Sequence, residues 1–208
     1  MGLVEGYSLQ GKWSEATSAV QNLLNVVKII KNPLWQAKAQ QAIAGILLSN
    51  KNYIEAVSAF GDLAALAARE GKYVKSDLRK NALRAIEVSA AVEQGWALIA
   101  SAEITGDWDK AKSHFNGLAT QYPGDETVAA AVLNGIGMTL MKTDPRAAYM
   151  KFVEAQVTHF NARSEVARAL YLKAQALKAM GGTANNQRAE EALKELRKFF
   201  PDSPFARN

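Results

Sequence analysis

The chain has no cysteine and only two histidines among its 208 residues. Without thiols it can form no disulfide, no thiolate metal site and no cysteine nucleophile. None of its apolar runs reaches the length of about 18 residues that crosses a bilayer, so the sequence predicts no transmembrane segment. Residues 1–10 also lack the basic start and apolar core of a secretion signal.

Candidate catalytic groups are scarce. His114 precedes an apolar position, and His159 falls at a predicted helix end, where a cationic side chain suits the helix dipole. Gly135 and Gly137 lack the preceding strand and further glycines of a nucleotide-binding loop, so we interpret them as sites of close helix packing. The sequence therefore predicts a protein that is not an enzyme and that has no cofactor-binding or metal site.

Three hexapeptides share one pattern. They read GKWSEA, KNYIEA and GDWDKA, at residues 11–16, 51–56 and 106–111. Each has a turn residue, an aromatic residue two places later and an alanine three places after that. A large apolar residue follows one helical turn beyond each alanine, at Val20, Phe60 and Phe115. The pattern predicts a turn followed by a helix that packs closely on its neighbour through the alanine.

Two further copies are weaker. Asp144-Pro145 is typical of a capped helix start, and Ala148 and Phe152 follow it with the same spacing. The last copy is anchored by Ala189, after a helix predicted from about residue 164 to 180 and a long turn predicted at 181–186.

These copies resemble the tetratricopeptide repeat, in which an apolar first helix precedes a second helix with an Ala-x3-Phe pattern and a closing proline. Pro123 and Pro201 close the copies anchored by Ala111 and Ala189. The five anchors, near positions 16, 56, 111, 148 and 189, are 40, 55, 37 and 41 residues apart, which fits a degenerate array with lengthened helices. The resemblance implies an all-α fold: a right-handed α-solenoid of antiparallel helix pairs with about ten helices, forming one domain over residues 1–208.

Within the interval of 55 residues, the stretch from residue 76 to about 105 contains no turn signal except a lone Gly95. Apolar residues with helical spacing, which begin at Leu78 and include Trp96, predict one helix over residues 75–105. Its first half is expected to pack on the preceding repeat or on a partner, and the helix is a candidate surface for homo-oligomer formation.

Both ends suggest that the array is part of a longer one. Leu3 and Tyr7 occupy late first-helix positions, and residues 201–206 read as one helix stop followed by the start of another helix. The closing string, FFPDSPFA at residues 199–206, resembles strings common in periplasmic tetratricopeptide proteins of bacteria. That resemblance implies a bacterial, periplasmic protein of the envelope type. The lack of cysteine does not fix the compartment, so a cytoplasmic location stays open.

In this family the first helices line a groove that binds partners. Transferred by position, the resemblance implies a groove of amide, aromatic, thioether and charged side chains that suits a protein segment or peptide. Trp96 is its expected anchor, because tryptophan is enriched among binding hot spots. The full set is Lys38, Gln41, Trp96, Glu103, Asn134, Met138, Met141, Arg168, Tyr171, Gln175 and Lys178.

Two other function classes stay open. A basic stripe over residues 72–84 could contact nucleic acid or an anionic surface, although no groove-reading motif accompanies it and a solvated helix face explains it as well. Nucleic acid is the less favoured partner for that reason. The chain could also be the helical accessory domain of a larger enzyme. The stripe comprises Lys72, Lys75, Arg79, Lys80 and Arg84.

Overall fold

The computed structural model describes residues 10–207, without the side chains of Lys28 and Ile30. Over this range the chain forms nine α-helices, one short 3₁₀ helix and no strand, which confirms the all-α prediction. The α-helices are α1 (Trp13–Ile30), α2 (Pro33–Ser49), α3 (Tyr53–Gly71), α4 (Asp77–Thr105), α5 (Trp108–Gln121), α6 (Glu126–Leu140), α7 (Pro145–Thr158), α8 (Arg163–Met180) and α9 (Thr183–Phe199). The 3₁₀ helix covers Pro204–Arg207.

The helices group into two compact units, divided between Gly106 and Asp107. In the first unit, successive helices from α1 to α4 pack on one another. Helices α2 and α4, each of which is the first helix of its repeat, also contact each other. In the second unit, successive helices from α5 to α9 pack likewise, and α6 contacts α8. Short turns join the packed neighbours and therefore make them antiparallel pairs. A single solenoid domain over the whole chain stays a prediction.

The five anchoring alanines are all completely buried, as the repeat pattern predicts. The large residue one turn beyond each of them is buried too, and Phe115 and Phe152 have no exposed surface. Because alanine adds only a methyl group, the neighbouring helix can approach closely at these points, and the bulky residue fills the space beside it. The hexapeptide pattern therefore encodes the helix contacts directly.

Helix starts and stops also follow local chemistry. The Asp144 carboxylate accepts a hydrogen bond of 2.9 Å from the backbone N–H of Ala147, with Pro145 in the first turn. Helices α5 and α9 end one residue before Tyr122-Pro123 and Phe200-Pro201, as predicted.

The long helix forms as predicted, over Asp77–Thr105. Its first half packs on α3 of the preceding pair, where Leu83, Ile86 and Ala90 join one buried cluster with Phe60. The apolar spacing did not identify the buried face correctly at the start of the helix, because Leu78 is 82% exposed. The buried residues lie on another side of the helix.

The long turn predicted at residues 181–186 is wrong. Only Gly181 and Gly182 form the turn, both with positive φ (69° and 85°), and α9 begins at Thr183. Glycine adopts this region without a Cβ clash, so two residues suffice to reverse the chain. The Asn185 side chain then donates a 2.8 Å hydrogen bond to the Gly181 carbonyl and holds the first turn of the helix.

Gly135 and Gly137 pack helices together, as predicted. A Cβ on Gly135 would lie 2.3 Å from Cε2 of Phe115, and a Cβ on Gly137 would lie 2.4 Å from Cε1 of Phe152. Both distances are far below an ordinary carbon–carbon contact of about 3.5–4.0 Å. Consequently α6 contacts the phenyl rings of α5 and α7 through bare backbone.

Candidate interaction surfaces

Four of the predicted groove residues lie in the first unit, on the adjoining helices α2 and α4. Lys38 and Gln41 are partly exposed on α2, Glu103 is exposed on α4, and Trp96 is partly buried. A partly buried indole on the side of a helix has a fixed orientation and still offers apolar area to a partner. All four side chains are therefore at least partly accessible, and the indole of Trp96 is the largest side chain among them.

Trp35 is a further candidate that the sequence analysis missed. Its indole is 45% exposed in the first turn of α2, and the Lys38 ammonium lies 5.2 Å from the ring centroid. Asn32 caps this turn, because its side-chain oxygen accepts from the backbone N–H groups of Leu34 and Trp35. The Asn32-Pro33 helix start, which ends five residues before the predicted groove residue Lys38, was the available signal.

Six of the seven predicted groove residues in the second unit are at least partly exposed. Met138 and Met141 lie at the end of α6, and Tyr171 and Gln175 lie on the adjoining α8. Lys178 is exposed and pairs with Glu190 of α9 at 3.1 Å. Thioether, phenol and amide groups therefore occur on two first helices that pack side by side.

Asn134 is the exception, and its prediction as a groove residue needs correction. Its side chain is completely buried, and Nδ2 donates to the Glu165 carboxylate at 3.0 Å and to the Glu165 carbonyl at 2.9 Å. Glu165 is itself buried and pairs with the Arg168 guanidinium at 2.8 Å. The amide N–H groups of this first-helix residue are satisfied by the next first helix. Asn134 joins α6 to α8 and has no surface to offer.

Arg168 and Tyr171 already contact an aromatic side chain of the same chain. The ring of Phe205 stacks on Tyr171 with centroids 5.6 Å apart, and the Arg168 guanidinium lies 5.3 Å from the Phe205 centroid. Ser203 holds this segment, since its hydroxyl oxygen accepts from the backbone N–H of Phe205. The α8 face at these two residues therefore binds a helical turn that carries an aromatic side chain.

A cleft of about 360 Å³ lies beside this contact. Arg163 lines it, with its guanidinium 5.1 Å from the Phe200 centroid, and Phe199 and Asp202 line it as well. Within residues 10–207, no group of three or more histidine, aspartate or glutamate side chains is placed to hold a metal ion.

The basic stripe lies at the start of α4 and in the loop before it, where all five cationic residues are exposed. Arg84 pairs with Glu87 at 2.6 Å. None of the helices in the described range is long and apolar enough to cross a bilayer.

Comparison with protein families gives two matches. The family model for the tetratricopeptide repeat matches residues 89–125 and residues 168–203. These two segments of the chain are therefore similar to the tetratricopeptide repeat. The matched segments contain the buried anchors Ala111 and Ala189, and the other three anchors are buried in the same way. Comparison with curated proteins and with solved structures gave no match.

Proposed function

We propose that this tetratricopeptide-like protein is a non-enzymatic scaffold that binds a segment of a partner protein on its first helices. Tetratricopeptide repeats generally mediate protein–protein interaction. The observation that carries the proposal is the side-by-side packing of first helices, α2 with α4 and α6 with α8, with accessible and chemically mixed side chains on each.

The side chains suit a peptide rather than a small molecule. Trp35 and Trp96 offer flat apolar area, while Lys38 and Gln41 offer polar groups for a peptide backbone or an acidic side chain. Met138 and Met141 add flexible thioethers, which adapt to apolar side chains of different shapes. An extended or helical segment can use such a mixture along its length.

Trp96→Ala tests the proposal. Peptides are selected on the wild-type protein from a random phage-displayed library, and the best one is titrated against purified variants by isothermal calorimetry. Loss of a central aromatic anchor is expected to weaken binding by about 2 kcal/mol, roughly 30-fold. Trp108→Ala is the matched control, because it removes an indole from the second helix α5 and should leave the affinity unchanged.

Reversal of charge at Arg79 and Lys80 should change the affinity for the same peptide only slightly, since exposed charges at a rim are screened. Circular dichroism must show that each variant keeps its helical content. A tolerant Trp96 combined with a charge reversal that abolishes binding would refute the first-helix site and place the partner on the basic stripe.

A further inference from the structure

The loop before α4 and the first turn of α4 precede the buried contact between α4 and α3. Leu83 is the first fully buried residue of α4, and its Cβ lies 4.0 Å from where a Cβ on Gly71 would stand, in the last turn of α3. Residues 77–81 of α4, which precede this contact, are all exposed. The segment 72–82, called here the overhang, therefore precedes the buried part of α4, which begins at Leu83.

Two large apolar side chains point outward from the overhang. Val74 packs on the buried cluster of the first unit, and its neighbour Tyr73 is 78% exposed. Leu78 in the first turn of α4 is 82% exposed. Ala82 lies one turn further on and extends the apolar side of the helix. Tyr73 and Leu78 are therefore exposed in the folded protein, and Val74, next to Tyr73, fixes this segment on the core.

The same segment is strongly cationic. Lys72, Lys75, Arg79 and Lys80 are exposed and form no ion pair within the described part of the chain. Asp77 is the one acidic residue of the overhang. Four cations therefore surround two exposed apolar side chains within nine consecutive residues.

We propose that the overhang docks on the surface of a bilayer that contains anionic lipid, with Tyr73 and Leu78 entering the interface and the four cations contacting head groups. Amphipathic helices bind bilayers through this combination of apolar area and positive charge. A bilayer with anionic lipid supplies negative charge and apolar area at every point of its surface, whereas a protein partner would need acidic and apolar surface in matching positions. A second copy would oppose like charges, and nucleic acid would leave Leu78 unused.

The proposal is independent of the peptide site and is tested with vesicles alone. Co-sedimentation is measured with phosphatidylcholine vesicles and with vesicles that contain about 30% phosphatidylserine. Binding is expected to the anionic vesicles only. Arg79→Gln with Lys80→Gln should weaken it about 25-fold, at about fivefold for each cation. Leu78→Ser should weaken it roughly tenfold, and Ile54→Ser, at an exposed isoleucine in the first turn of α3, should leave it unchanged.

Insertion is read separately, because the chain contains no cysteine and accepts a single label. An environment-sensitive fluorophore on Leu78→Cys should shift to the blue with anionic vesicles, and the same label on Thr120→Cys in the second unit should not. Equal binding to neutral vesicles, no binding to either kind, or binding without a shift at position 78 would each overturn the proposal. So would tighter binding to a single-stranded oligonucleotide, or self-association of the free protein that Leu78→Ser abolishes.

Discussion

Replacement of Gly135 by alanine tests a close helix contact in the second unit. The added Cβ would lie 2.3, 2.4 and 2.5 Å from three carbons of the Phe115 ring, at least about 1 Å inside an ordinary contact. Phe115 is completely buried, so its ring cannot move aside into solvent. Overpacking of a core costs about 1–3 kcal/mol, and overlap with three ring atoms indicates the upper end of that range.

Gly117→Ala is the matched control. Gly117 lies on the exposed side of α5, and a Cβ there would meet no atom within 4 Å. Both variants gain the preference of alanine over glycine in a helix, about 1 kcal/mol, so the difference between them isolates the packing cost. We expect Gly117→Ala to raise the free energy of unfolding by up to about 1 kcal/mol and Gly135→Ala to lower it by about 2 kcal/mol. Urea unfolding followed by far-UV circular dichroism measures both. If Gly135→Ala proved as stable as Gly117→Ala, α6 would not pack on Phe115 through bare backbone.

Two other substitutions test the buried contacts. Ala56→Leu and Ala111→Leu should each lower the melting temperature and cost about 1–3 kcal/mol by overpacking a helix contact, and wild-type melting temperatures would contradict the repeat alignment. Asn134→Ala removes the amide that donates to the buried Glu165 carboxylate and should cost about 1–3 kcal/mol in urea unfolding, whereas Asn116→Ala on the exposed side of α5 should be nearly neutral.

The features that the sequence predicted well depend on neighbours within one or two helical turns. The alanine anchors, the large residues four positions later and the Asp144-Pro145 start carry their structural meaning in a few adjacent residues. The all-α fold and the order of the helix pairs follow from these local signals.

The errors arise where a distant residue decides the environment. Asn134 resembles a surface residue in sequence, and only the approach of Glu165, 31 positions away, makes it a buried link. Leu78 fits the helical spacing of apolar residues, yet α3 ends too early to cover it. The polar run around Asn185 suggests a loop, but two glycines with positive φ complete the turn before it. The accessible first-helix residues were predicted by position, whereas the Trp35 and Phe205 contacts needed the structure.

The contact pattern within each unit also bears on how the protein folds. A helix packs on the next helix, or on the one after it, and these contacts close short loops. Proteins in which most contacts are local in sequence fold quickly, because little chain entropy is lost before a contact forms. During synthesis, helices α2, α3 and α4 can bury Phe60 and Leu63 before the second unit has been made. No long apolar segment of either unit therefore stays exposed during synthesis until a segment distant in sequence has been made.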